Sequence, residues 1–189
     1  LSTTLRQTQE LESRYSGVTF DQWSEADKEK ASRLAHLADS IGMQVYFASG
    51  AYQESASEDE PKILRGISER TRFWNEARPL LEMLAEFGYA HLVHYLVETL
   101  EFLLPFAPEE VFLLLGKVVR KGQEDGYQYE SMAIEVIVRI VERMMAEYRH
   151  ILQQRETCRD ALIKILDIFV EAGWPVATRL TYRLEEIFR

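Results

Sequence analysis

Along most of the chain, apolar residues recur three and four positions apart, the spacing that aligns side chains on one face of an α-helix. Leu34, Leu37, Ile41, Val45 and Ala48 form the first such stripe. They predict a helix ending near Ser49. Its start falls at Thr19, where Thr19-Phe20-Asp21-Gln22 has capping-box spacing, or at Ser24, an equally good cap. The span 63–87 is again helical in pattern, but Pro79 lacks the amide donor of an internal helix residue, so two short helices are expected there. Leu92, Leu96, Leu100 and Leu103 mark a helix over Tyr89 to Leu104. Pro105 ends it, and Pro108-Glu109-Glu110 opens the next, with acids at the positive end of the helix dipole.

That next helix reaches about Arg120, where Lys117, Arg120 and Lys121 complement its negative end. From Ser131 to Leu152, Ile134, Ile137, Val141, Met144, Tyr148 and Ile151 give the strongest helical period in the chain. This outweighs the strand preference of the β-branched run Val136-Ile137-Val138. Cys158, Ala161, Leu162, Ile165 and Phe169 define a helix from Glu156 to Ala172. Gly173 closes it, and Trp174-Pro175 starts the last helix, through Val176, Leu180, Leu184 and Ile187.

Roughly eight helices with short turns leave little room for a sheet, so the expected fold is all-α. Consecutive amphipathic helices bury their stripes against one another. The favoured arrangement is a stack of antiparallel hairpins resembling the alpha-solenoid, HEAT-like architecture in general outline, with no family motif; a compact helical bundle is the alternative. The polar, acidic stretch Ser55 to Pro61 is the best boundary, with Ser57 and Glu60 able to cap the next helix. This divides the chain into an N-terminal segment or cap (1–54), an acidic linker (55–61) and a helical-repeat-like domain (62–189).

Composition narrows the class. The 189 residues suit one ordinary domain or two very small ones, and 47% apolar with 28% charged residues is too apolar for global disorder. No apolar run approaches the roughly 18 residues of a membrane span, and the first residues lack the pattern of a secretory signal. One cysteine, Cys158, excludes an internal disulfide framework and a thiolate cluster, which suits a reducing, cytoplasmic setting. The absence of an initial Met is expected to mark a piece of a longer protein. With 22 Lys plus Arg against 31 Asp plus Glu, the net charge is −9, which opposes nonspecific attraction to nucleic acid or to an anionic membrane.

Candidate chemistry is sparse. His91 and His94 with Glu98 superficially resemble half of a helical metal site. The histidines lack the four-residue spacing of His-Glu-x-x-His, however, and no facing helix supplies a second Glu-x-x-His. An exposed polar face accounts for them. No cofactor is expected. Cys158 lies in an apolar stripe and reads as core rather than nucleophile. Glu135 with Arg139, and Arg143 with Glu147, have ion-pair spacing, and no Gly-rich loop carries the Lys and Ser or Thr of a phosphate cradle. Arg65, Arg70, Arg72 and Arg78, with Phe73 and Trp74 between them, are the candidate nucleic-acid surface; Glu69, Glu76 and the overall charge argue against it.

Tyr46, Phe47 and Tyr52 group at the end of the first long helix and suit either an interface or a sealed stack end. The expected function is therefore a noncatalytic protein-interaction, scaffold or regulatory domain of a larger protein; the alternatives are a nucleic-acid-binding helical module and a small all-α metal-dependent enzyme using His91, His94 and Glu98. Tyr52, Phe73, Trp74 and Trp174 are its candidate anchors, and another protein, a parent domain or a second copy its partner.

Overall fold

The computed structural model describes residues 1–53, 67–126 and 132–188. The acidic stretch 55–61, its caps Ser57 and Glu60, Arg65 and the predicted helix start at Ser131 lie outside the described residues. Within them every regular element is helical: α1 (Ser2–Arg14), α2 (Glu25–Ser49), α3 (Ile67–Leu84), α4 (Ala90–Leu103), α5 (Pro108–Glu124), α6 (Met132–Ala146), α7 (Arg149–Gln154), α8 (Glu156–Glu171), α9 (Pro175–Tyr182) and α10 (Leu184–Phe188). Single 3-10 turns occupy Phe20–Gln22 and Ala51–Gln53.

Helix ends follow local chemistry. Ser24 is the cap of α2: its Oγ accepts from the Asp27 amide at 3.2 Å. The alternative start at Thr19 opens only the 3-10 turn, without a side-chain cap bond. Pro108 stands in the first turn of α5 with Glu109 and Glu110 beside it. At the end of α8, Gly173 takes a φ of 80°. The Trp174 amide then reaches Phe169 O at 2.9 Å and the Gly173 amide Val170 O at 2.9 Å, the two bonds of a Schellman closure. Pro175 starts α9 directly afterwards.

α4 is the centre of the molecule, in contact with α2, α3, α5 and α6. Leu92, Val93, Leu96, Val97, Leu100, Phe102 and Leu103 are all buried, so its apolar residues cover nearly the whole circumference, as a helix enclosed by neighbours requires. α5 packs on α4 and, on its other side, on α8, with Phe112, Leu115 and Val118 fully enclosed. Each such side chain contributes about 1.5–3 kcal/mol by leaving water. Ala38, Val45 and Ala51 of the N-terminal segment belong to the same core as the later helices.

Four expectations change. A helix, α1, precedes the first one predicted; its buried face is Thr4, Thr8 and Leu11, too polar to register as a stripe. The buried face of α2 is Leu34, Ala38, Gly42, Val45 and Ser49, whereas Leu37 is 46% exposed and Ala48 is exposed. The face is turned because small residues allow the close approach to α4: a Cβ at Gly42 would run into Leu92 Cδ1. Pro79 does not divide α3. It sits on the exposed side, as does Asn75 four residues earlier, so water reaches the freed carbonyl. Buried Trp74, Leu81 and Leu84 on the other side offset the roughly 3 kcal/mol cost of an internal proline. Finally, the 131–152 helix stops at Ala146 and restarts as α7, and the terminal helix breaks between Tyr182 and Leu184. The restart lets α7 meet α10, where Gln153 Nε2 donates to Ile187 O at 2.8 Å.

Candidate functional site

The N-terminal helix is tied down by its last turn. Asp27 of α2 accepts from Tyr15 Oη at 2.7 Å, from Ser24 Oγ at 2.8 Å and from Arg14 Nη1 at 3.2 Å. These hydrogen bonds, the Tyr15 hydroxyl's first, hold the Asp27 carboxyl below its ordinary range. Tyr15 also stacks on Trp23 with centroids 4.4 Å apart and planes 14° from parallel, and Phe20 tilts against Trp23 at 5.2 Å. At its opposite end α1 meets α3 through Ser2 Oγ and Met83 Sδ at 3.5 Å.

Held in this way, α1 and the turn after it wall a cavity of about 1000 Å³ against the start of α4 and the end of α5. Phe20, Trp23, Leu11 and Leu34 supply apolar surface on one side; Tyr89, His91, His94 and Tyr95 supply rings on the other. Glu12 and Asp125 both line it, and Lys121 bridges them, with Nζ 3.5 Å from Glu12 Oε1 and 2.7 Å from Asp125 Oδ1. Asp125 Oδ2 accepts the Gly88 amide at 2.9 Å, fixing the turn before α4. Burial raises the Glu12 carboxyl above its ordinary value, with Lys121 opposing and Asp125 and Glu124 reinforcing the rise. Burial likewise raises the Tyr89 phenol, with Thr8 as a polar neighbour. Thr8 itself is 8% exposed, and among the described residues its Oγ1 has no partner at hydrogen-bonding geometry although it borders the cavity.

The histidines are part of this wall. His91 Nδ1 lies 3.7 Å from Asp39 Oδ2, and His94 leans on Tyr95 with centroids 5.9 Å apart. Burial raises both Asp39 and Glu98 above the ordinary carboxyl value; His91 is the first opposing group for Asp39, and His94 for Glu98. Among the described residues no three His, Cys, Asp or Glu side chains converge as a metal-holding group.

Among the described residues, the candidate arginines Arg70, Arg72 and Arg78 do not form one free basic surface. Arg70 is 8% exposed and lies over the Phe102 ring at 4.0 Å. Arg72 pairs with Glu76 at 2.7 Å and Arg78 with Glu82 at 2.8 Å, so neighbouring carboxylates compensate both. Of the candidate anchors, Trp74 is 5% exposed and spent inside the core, which removes it from any surface role. Phe73 and Trp174 are half-buried against the core. Tyr52 is exposed; its ring lies 5.2 Å from that of Phe47 and 6.5 Å from that of Tyr46, and Tyr46 rests on Tyr95 at 5.7 Å.

Cys158 is fully enclosed, its thiol pushed up to about 11 by burial first and by Glu109 second. At neutral pH it remains a thiol and cannot act as a thiolate nucleophile. No helix among the described residues is long and apolar enough to cross a membrane. The cavity was not foreseen from the sequence: Thr8, Glu12, Trp23, Tyr89 and Asp125 are scattered through the chain, and no spacing rule joins them. Comparison of the chain with protein-family models, curated proteins and solved structures gives no significant match.

Proposed function

We propose that the protein is a noncatalytic interaction domain, acting as a scaffold or regulatory module of a larger protein, with its helices arranged as stacked antiparallel hairpins. The stacking is supported by the contacts of α4 with both α2 and α6, alternate helices as in a hairpin array, and by the contact of α5 with α8 beyond the short α7. The observation that carries the function is the aromatic group at the end of α2. Phe47 is 50% exposed and Tyr52 40% exposed, and both are braced by Tyr46 on the body of the fold. Rigid aromatic side chains supply contact area at low entropic cost and are enriched among interface residues that dominate affinity. Leu37 and Met43, 46% and 38% exposed, extend the apolar surface along α2. The partner is a protein, or a domain of the parent chain, with a complementary apolar patch.

The test is affinity capture from the native cell lysate with the chain and with Phe47→Asp, both checked for folding by circular dichroism, followed by reconstitution with the purified partner. A direct protein partner that the parent binds and Phe47→Asp loses by about tenfold or more supports the reading. Capture of no partner by folded bait, or equal retention by the variant, overturns it. Mass that rises with concentration and returns to the monomer in Phe47→Asp identifies the partner as a second copy.

A further inference from the structure

The cavity under α1 has a chemical bias of its own, independent of the α2 surface. Its walls are aromatic on two sides, with Phe20 and Trp23 on one and Tyr89 and Tyr95 on the other. Among the described residues its charged end sets two carboxylates, Glu12 and Asp125, against one ammonium, Lys121, an excess of one negative charge. Asp125 is committed to Lys121 and to the Gly88 amide at 2.7 and 2.9 Å, whereas Glu12 is held only by the longer 3.5 Å approach. Glu12 is thus the carboxylate with capacity for a second donor. Near it the buried Thr8 Oγ1 stands at the cavity edge beside the Tyr89 phenol, and among the described residues it has no partner that meets hydrogen-bonding geometry. Aromatic faces attract cations, and a partly desolvated carboxylate strengthens that preference. Pockets of this size with apolar walls and a few converging polar groups are typical of small-molecule sites.

We propose that this cavity binds a small organic monocation, an aryl- or alkylammonium ion. Its amine donates to Glu12 Oε and Thr8 Oγ1, and its apolar body lies between Trp23 and the Tyr89–Tyr95 wall. The site selects against anions, because Glu12 and Asp125 face them. It selects less strongly against neutral isosteres, which keep the apolar contact and lose only the charge.

The experiment titrates the full chain with tryptamine, phenethylamine and hexylamine as cations, tryptophol as the neutral indole and indole-3-propionate as the anion. Calorimetry reads affinity, and the indole N–H signals of the three tryptophans locate binding. The proposal expects at least one amine to bind and to shift the Trp23 signal, with the signal of core-buried Trp74 unmoved. Tryptophol should bind more weakly than tryptamine and indole-3-propionate not at all. Glu12→Gln, a change on a side chain 44% exposed and therefore compatible with folding, should weaken amine binding about tenfold and leave tryptophol unchanged. Thr8→Val should weaken the amines in the same direction. The proposal is overturned if no amine binds folded protein at about millimolar concentration, if cation and neutral analogue bind equally, or if Glu12→Gln leaves amine affinity unaltered.

Discussion

Gly88 joins α3 to α4 at a point where nothing larger fits. A Cβ built there would stand 2.6 Å from Asp125 Oδ2, 2.7 Å from Asp125 Cβ and 2.7 Å from the carbonyl oxygen of Lys121. Only the first of these atoms can rotate away; Asp125 Cβ and the Lys121 carbonyl are fixed to the backbone at the end of α5 and yield only if the helix end moves. In Gly88→Ala the turn either stays and is overpacked, which costs about 1–3 kcal/mol, or withdraws. Withdrawal breaks the 2.9 Å bond from the Gly88 amide to Asp125, a bond to a charged group worth about 1.5–3 kcal/mol. These are alternatives rather than additive costs and the turn takes the cheaper, so the expected loss is about 1–3 kcal/mol. Urea unfolding followed by far-ultraviolet circular dichroism measures it, with an unchanged slope showing that stability alone has moved. Asp125→Ala removes the acceptor but leaves the Cβ at position 125 and the Lys121 carbonyl in place. Gly88→Ala in that background should therefore still cost about 1 kcal/mol, giving a coupling of the same order. A single-variant cost below about 0.5 kcal/mol, the level of an ordinary surface change, would refute the reasoning, because it would mean that the α3–α4 turn is not pressed against α5.

Two titrations rest on named groups. Asp27 has a lowered pKa in the folded chain, so its stabilisation is present above the unfolded value of 3.8 and is lost as pH falls through the folded value. Asp27→Asn should flatten that acid limb and speed amide hydrogen exchange in α1 relative to α4; equal exchange in parent and variant would show that Tyr15 and Arg14 do not tether α1 through Asp27. Cys158 moves the other way: with its thiol raised from 9.0 to about 11, the unfolded chain loses that proton first, so its contribution holds below pH 9 and is lost as pH rises towards 11. Cys158→Ala should lessen the alkaline decline, and a disulfide reagent at pH 8 should label Cys158 in the parent only at the rate of unfolding; rapid labelling of folded protein would contradict its burial. The same reagent should label the chain promptly in denaturing urea, which supplies the control.

The helices that read correctly from the sequence are those whose stripes are made of large residues. α4, α5 and α8 bury Leu, Val, Ile and Phe at three- and four-residue spacing, so burial and periodicity carry the same information there. α2 shows why that signal can point to the wrong side of a helix. Its buried face includes Ala38, Gly42 and Ser49, residues that add little to an apolar pattern, while the larger Leu37 and Phe47 face outward. Size and burial are uncoupled where two backbones approach closely, and a pattern based on hydrophobicity follows size. α1 extends the same point: Thr4 and Thr8 are buried with their hydroxyls, and no count of apolar positions finds them.

The site obeys a different logic from the core. The grouping of Tyr46, Phe47 and Tyr52 was legible because they are near in sequence and a helix end keeps them near in space. The cavity is legible only from tertiary structure, since Glu12 and Asp125 meet through Lys121 across more than half the chain and Trp23 reaches them from a one-turn helix. His91 and His94 illustrate the difference. Their spacing correctly places them within one turn of α4, but their neighbours, Asp39 behind His91 and aromatic rings across the cavity, are set by how α2 and α1 close on that turn. A change in the α1 tether should therefore alter the cavity while leaving α4 itself in place. The Asp27→Asn variant, with fast exchange in α1 and weakened amine binding but an intact central helix, would separate the site from the scaffold that carries it.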